Sequence, residues 1–498
     1  MPTAEGSSHH SAVAAGSSAG DVLQIGVFFD GTRYNANNLR RGPAQGAAPS
    51  LPPAPTISEA LPYPDRVGSS HDNALTNIAR LHALYPDRRR DAGAGLSVAI
   101  YIEGAGTRDG QPDDLQGLAF GTGISGVQAK VDLLLQQRLP DALAPLARMQ
   151  VSSISGLQLD LFGFSRGALA ARELANRLDG WATERWQELL QHAGLPLAPT
   201  FKLQAATLRF IGLFDTVAAV PGAALGPAPR SFLRAGIARK VLQLAARDEH
   251  RTHFALTSVA PEHEQRLLPG AHTDIGGGTD DVIEGPKLLT RPRGERIHAP
   301  PVAPMQPPSF GWLRTTQSHR RAEVEARQWQ RRLHLGDEAI RVDTWHQWQR
   351  QRVAGSDSVL PADVLYVYSA VVLERQVDWR YQLIPLRIMH AAAADAGVRW
   401  SHGPDEDAAL ALPADLDDIS TRLLQQQALS ASQEALLLQR FVHQSAHWNF
   451  DALGDTSLIG AGDATVERLP YRPGPRILYL NRPTADGSRV ILANAPPH

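Results

Sequence analysis

The feature that most constrains this chain is an apolar run that ends in Gly163-Phe164-Ser165-Arg166-Gly167 and passes at once into a helical stretch. Leu157 to Phe162 (LQLDLF) reads as a strand and Ala168 to Leu178 as a helix. A strand that turns so sharply into a helix brings its backbone too close for side chains at the flanks, which accounts for the two glycines. The serine hydroxyl is then held clear at the top of a sheet, with a helix N-terminus behind it that favours developing negative charge. This is the setting of a nucleophile elbow. The five-residue pattern alone is common by chance; the strand before it and the helix after it give it weight. The competing reading is a tight turn with a bystander serine.

Other short apolar runs repeat the arrangement. Val22 to Phe29 (VLQIGVFF) ends at Asp30-Gly31-Thr32, and Ser97 to Ile102 (SVAIYI) ends at Glu103-Gly104-Ala105-Gly106-Thr107. Ala206 to Phe214 (ATLRFIGLF) ends at Asp215. Helical spacing separates them, over Asn73 to Leu84 and Val127 to Leu139. Alternating strands and helices predict an α/β fold of the α/β-hydrolase type, a mostly parallel sheet flanked by helices. In such sheets ligands bind at the carboxyl ends of the strands, where these polar turns lie.

A serine nucleophile needs a base, and the base an orienter. In this fold class they follow in the order serine, acid, histidine. Asp215, at a strand's carboxyl end, is the candidate acid; a turn or helix-capping aspartate is the plainer reading. Among 18 histidines, His272 lies in Pro269-Gly270-Ala271-His272-Thr273-Asp274-Ile275-Gly276-Gly277-Gly278, a loop with little side-chain obstruction. His443 and His447 are later candidates for the base, and any one of them could be a packed imidazole.

Composition excludes several alternatives. The net charge of −2 gives no basic excess for neutralising nucleic-acid phosphates. The absence of cysteine removes thiol catalysis, cysteine-based zinc sites and disulfides together. Residues 1–20, rich in Ser, Ala, Gly and His, read as a flexible tail and not as a Sec signal peptide. No stretch reaches the length of an apolar transmembrane helix. Export, if it occurs, is expected by another route.

The expected organisation is a disordered tail over 1–20, a catalytic core over 21–285, a mainly helical accessory region over 286–450 that caps the core or faces a membrane, and a C-terminal segment over 451–498. Residues 41–70 read as a surface excursion and 286–309 as a linker or loop. Residues 310–352, with Trp312, Trp329, Trp345 and Trp348 among many Arg and Gln, read as polar helices, as do Val377 to Ala396 and Ile419 to His443. Arg476 to Leu480 and Arg489 to Leu492, around Ala485-Asp486-Gly487-Ser488, carry a hairpin signal.

Together the motifs resemble those of one hydrolase family, formerly known only as a domain of unknown function, which includes the first class of type VI secretion lipase effectors. The resemblance rests on Phe29-Asp30-Gly31-Thr32 with nearby Asn35, on Glu103-Gly104-Ala105-Gly106-Thr107, on Gly163-Phe164-Ser165-Arg166-Gly167-Ala168, on Phe214-Asp215-Thr216-Val217, and on the Gly270 to Gly278 loop. It runs from about residue 22 to 280. Asp248-Glu249-His250-Arg251 and Phe441-Val442-His443-Gln444-Ser445 also look like segments of those effectors, whereas 286–450 matches only in patches. Asn35 stands one residue later than the pattern expects.

The resemblance implies cleavage of acyl esters of membrane phospholipids by Ser165, Asp215 and His272, with no cofactor and no metal. It also implies export by a type VI system with a spike or tube component, action in the periplasm or membrane of a target cell, and a cognate immunity protein. The expected oxyanion donors are the backbone N–H of Arg166 and, from the first turn, that of Gly31. Two rivals fit poorly. A haloacid-dehalogenase-like phosphatase would need an aspartate where Phe28 stands, and a metal hydrolase using His272 and Asp274 lacks a partner triplet. A soluble housekeeping carboxylesterase and a non-catalytic binding module on the same fold remain the alternatives. Residues 287–298 and 310–333 are expected to dock on a bilayer, Trp at the headgroup level and Arg on anionic lipid; the plainer reading is a solvated helix packed by its Trp side.

Overall fold

Among the described residues seven strands form one sheet whose order interleaves the chain. A computed structural model describes residues 20–42, 69–87, 89–91, 95–114, 117, 121–149, 151, 153–199, 201, 206–218, 228–280, 283–354, 359–449, 451–452, 466–468, 476–479 and 481–496. The expected tail therefore lies outside the described residues, as does most of the 41–70 excursion. The strands are β1 (Asp21–Phe29), β2 (Arg89–Asp91), β3 (Gly95–Ile102), β4 (Ile154–Phe164), β5 (Ala206–Phe214), β6 (Lys240–Ala246), then β7 (Leu256–Thr257), which stands outside this sheet, and β8 (Glu264–Leu268). Their spatial order is β2-β3-β1-β4-β5-β6-β8. All neighbours run parallel except β2, which pairs antiparallel with β3.

The central strands read as mainly apolar runs because both faces are buried, each face feeding a separate core, and the polar Gln24, Gln158, Asp160 and Arg209 that interrupt them bond one another. Leu23, Ile25, Val27 and Phe29 of β1 join Leu157, Leu159 and Leu161 of β4 on one face. Helix Arg166–Asp179 covers that face with Leu169, Leu174 and Leu178. Phe28, Phe162, Phe164, Phe210 and Phe214 point to the other face. Each fully buried side chain of this size contributes about 1.5–3 kcal/mol. The aromatic face is closed by helices Asn77–Leu84, Leu383–Asp395, Asp417–Leu424 and Ala431–Arg440. The last three come from beyond residue 285, so the C-terminal half supplies one layer of the sheet's own core.

That half also departs from the helical expectation. Strands β9 (Ile283–Leu288), β10 (Arg293–Ile297), β11 (Ile340–Ala354) and β12 (Val359–Gln376) form an antiparallel sheet in which β12 pairs with the other three. The 286–309 stretch thus contributes strand, and of 310–352 the segments Phe310–Leu313 and Gln317–Leu333 are helical. Trp345 and Trp348 sit on β11. The stretch 377–396 is helical from Trp379 on, first as a 3-10 turn, and 419–443 is two helices with a break at 425–430. Among the described residues the expected C-terminal hairpin pairing is not present. Arg476–Leu478 pairs with Asp451–Ala452 and Val466–Arg468, while Ile491–Leu492 runs parallel to β7. Among the described residues no helix is long and apolar enough to cross a membrane.

Candidate active site

Ser165 stands between β4 and helix Arg166–Asp179 with φ 57° and ψ −123°, a left-handed conformation that L residues rarely adopt and that costs on the order of 1–3 kcal/mol. The surroundings impose it. A Cβ on Gly163 would lie 2.5 Å from the Gly167 carbonyl oxygen, and one on Gly167 would lie 2.3 Å from that of Asp30. Both flanks are therefore closed to any side chain. The Ser165 N–H donates to the Phe214 carbonyl at 3.0 Å, which ties the turn to the end of β5.

The next residue on β5's exit is Asp215, fully buried and also at positive φ, 45°. His272 Nδ1 lies 2.6 Å from Asp215 Oδ2. Arg489 approaches the same carboxylate with both terminal nitrogens, Nη1 to Oδ1 at 2.6 Å and Nη2 to Oδ2 at 2.8 Å. The Ala246 N–H donates to Oδ1 at 2.9 Å. Burial pushes the carboxyl up, but the Arg489 charge and the hydrogen bonds from His272 and Arg489 outweigh it and hold Asp215 well below the usual carboxylate range.

His272 opens the short helix His272–Gly276, whose first turn is closed by Asp274 Oδ2 accepting the Ala271 N–H at 2.8 Å. Its ring packs on Phe164, the neighbour of Ser165, at 4.6 Å between centroids, and edge-on against Phe254 at 5.0 Å. Burial lowers the imidazole's proton affinity, with Asp215 opposing, so the ring is held neutral near pH 7. With Nδ1 bonded to Asp215, Nε2 is the nitrogen left to act as base. The structure thus joins Asp215 to His272 directly and brings Ser165 to them through Phe164 and Phe214. Among the described residues no hydrogen bond links the Ser165 hydroxyl to His272, a contact that hydrolases without substrate often leave long.

The other sequence candidates fall in different places. Arg166 begins the helix, where N–H groups have no intrahelical acceptor; its side chain reaches Thr32 Oγ1 at 2.6 Å and the Gly117 carbonyl at 3.2 Å. Gly31 N–H donates to Asp30 Oδ1 at 2.7 Å, so this second oxyanion candidate is engaged by its own turn. Asp30 also accepts from Thr76 and Tyr101, and burial nevertheless pushes its carboxyl up to about 6. Asn35 caps helix Ala36–Arg41, accepting from the N–H groups of Asn37 and Asn38. His443 bonds Asp274 and not Asp215. His447 lies in a buried niche whose burial lowers its imidazole to about 3. Among the described residues no three His, Asp or Glu side chains converge as a metal site.

Two participants escaped the sequence reading. Glu249, fully buried, accepts the His272 N–H at 3.3 Å and pairs with Arg251 at 2.8 Å. Its segment, Asp248-Glu249-His250-Arg251, stood out in the sequence without a role. Arg489 had no local signal at all: it precedes a short apolar run, and its partner is 274 residues away.

No family model and no curated protein matches the chain. Among solved structures, the chain is similar to the Tle1 effector bound to the VgrG spike from the Type 6 secretion system. Sequence identity is 25%, the TM-score is 0.68, and the match covers 95% of this chain and 94% of that one. A crystal structure of an uncharacterized protein from Pseudomonas aeruginosa matches at 18% identity and a TM-score of 0.28, over 52% of this chain and 42% of that one.

Proposed function

We propose that the protein is a serine esterase of the phospholipase A type, acting on acyl esters of membrane phospholipids as a type VI secretion effector. The observation that carries the chemistry is the 2.6 Å contact between His272 Nδ1 and Asp215 beside a serine held in a strained elbow. The near full-length likeness to a Tle1 effector supports the delivery route.

In this reading His272 Nε2 takes the Ser165 proton and the alkoxide attacks the ester carbonyl. Asp215, kept ionised, fixes the imidazole tautomer and stabilises the imidazolium. The Arg166 N–H at the helix start is the first oxyanion donor. Gly31 N–H is the second, and reaches the oxyanion only by leaving Asp30. Water then cleaves the acyl-enzyme. The proposed partners are a phospholipid bilayer, a secretion spike component such as the neighbour carries, and an immunity protein that blocks the site.

The deciding experiment is product analysis on defined diacyl phospholipids with native and Ser165→Ala protein. Release of fatty acid and lysophospholipid by the native form alone supports the proposal. Turnover of short dissolved esters only would indicate a soluble carboxylesterase, and no turnover at all a binding module. For the effector role, a version sent to the periplasm should kill while its Ser165→Ala form should not. Equal harmlessness of the two would overturn that role.

A further inference from the structure

A carboxylate that must aim an imidazole needs its own plane fixed, and apart from Arg489 each oxygen of Asp215 has a single neutral partner, His272 Nδ1 on Oδ2 and the Ala246 N–H on Oδ1. In this chain both oxygens of Asp215 are taken by one guanidinium, a planar two-pronged donor that fixes orientation as well as charge. Arg489 is itself locked. Its Nε and Nη2 each donate to the Phe254 carbonyl at 3.0 Å, and Nη1 donates to the Ala246 carbonyl at 3.0 Å. Phe254 in turn carries the ring that packs edge-on against His272.

The segment that brings Arg489 in is held without it. The Leu256 N–H donates to the Val490 carbonyl and the Ser258 N–H to the Leu492 carbonyl, both at 2.9 Å. Asn494 exchanges hydrogen bonds with the Leu233 backbone and reaches Glu262. The guanidinium is therefore not needed as a tether, and it is spent on the acid. A buried carboxylate beside a neutral imidazole is otherwise an uncompensated charge.

We propose that Arg489 is a positioning residue of the esterase, which orients the Asp215 carboxylate so that His272 faces Ser165, and that seating of the 482–494 segment is the condition for a competent triad. The proposal rests on the triad reading above. The other charges near His272, Glu249 and Arg251, pair with each other, which leaves Arg489 as the cation that balances Asp215.

The test uses the full chain and a short soluble ester, with Arg489→Met and Arg489→Ala compared with native protein of verified fold. The proposal expects kcat to fall on the order of 10²-fold, as for small misplacements of catalytic groups, with KM unchanged. The acid limb of kcat/KM should move to higher pH, because the His272 imidazolium, no longer opposed by the cation, keeps its proton longer. Added methylguanidinium should restore part of the rate to Arg489→Ala and none to the native enzyme. Native kcat and an unmoved limb in folded variants overturn the proposal. Should both variants fail to fold, Asn494→Ala decides by loosening the segment with the charge intact: a lowered kcat at constant KM supports the proposal and native turnover overturns it. Fluorophosphonate labelling separates the two levels. No label at Ser165 in the native protein rejects the triad reading itself, whereas equal labelling rates in native and Arg489 variants reject only the role of Arg489.

Discussion

His443 Nδ1 lies 2.6 Å from Asp274 Oδ1, and the His443 N–H donates to Asp274 Oδ2 at 2.9 Å, across 169 residues of chain. The same Oδ2 takes the Ala271 N–H. One carboxylate therefore closes the loop that bears His272 and fastens it to the C-terminal half. Burial alone would lower the His443 imidazole, but the Asp274 charge and hydrogen bond prevail and raise it above its ordinary value. Stability from this pair is present below about pH 6.5, the ordinary histidine value, and is lost as pH rises through the folded one.

His443→Ala should therefore act through stability and loop order. We expect a loss of about 3–5 kcal/mol in urea unfolding, since Asp274 is left buried and short of a partner, with activity reduced but measurable. His272→Ala also removes a buried ring from between Phe164 and Phe254 and should cost stability too, but its loss of turnover should be on the order of 10⁶. The reverse ranking of activities would move the base to His443.

Replacing Ser165 separates strain from chemistry. Ser165→Gly should abolish turnover and at the same time stabilise the protein by about 1 kcal/mol, because glycine accepts the positive φ without strain. Ser165→Ala should abolish turnover with no such gain. Denaturant midpoints at equal m-values check this; equal stability of the two variants would mean that the elbow stores no strain.

Acid should loosen the site's supports. Glu249 and Glu284 are both buried, and the charges of Arg251, and of Lys287 and Arg375, outweigh that burial and hold each carboxyl at about 2, against an ordinary 4.5. Their contribution is complete above about pH 4.5 and drains as pH falls toward 2, at up to about 1.4 kcal/mol per pH unit for each group. Unfolding free energies measured between pH 6 and 3 should fall accordingly, and Glu284→Gln should flatten the slope. An unchanged slope would mean that Glu284 titrates normally.

The docking proposal has a face to test. Arg320, Arg321, Arg331 and Arg332 are exposed on helix Gln317–Leu333, whose Ala322, Ala326 and Leu333 are buried on the opposite side. Trp312 and Trp348 pack against Leu313, Leu365 and Val367, and Trp345 packs beside Leu288 and Val372, so the tryptophans are partly committed to the fold. Charge reversal at the four arginines should weaken binding to anionic vesicles and spare hydrolysis of a soluble ester. Unchanged vesicle binding, or a joint loss of both activities, would make the segment structural.

The parts of the candidate site that are legible in the sequence are those with a local signature. The elbow is legible because two backbone approaches exclude every residue but glycine at 163 and 167, and Asp215 because it ends a buried strand. Strand β11 was hidden because it carries polar side chains on both faces, with Gln347 and Gln349 on one and His346 and Arg350 on the other, and over 340–352 that polarity imitates a solvated helix. Glu249, Asp274 and Arg489 were not assignable, since each acts on a residue brought near only by tertiary folding. The hairpin signal misled for a related reason: Ile491–Leu492 pairs with β7, more than 230 residues earlier in the chain, which no local pattern discloses.

The 274-residue separation of Asp215 from Arg489 also has a meaning in time. At about 5–20 residues per second, a ribosome needs on the order of tens of seconds to make the intervening chain. Throughout that interval the nascent protein already holds Ser165 and Asp215, yet lacks the guanidinium that meets both oxygens of Asp215. The order of synthesis thus places the completion of the charge cluster after residue 489 has been added, and a chain that stalls before it carries the elbow without that guanidinium.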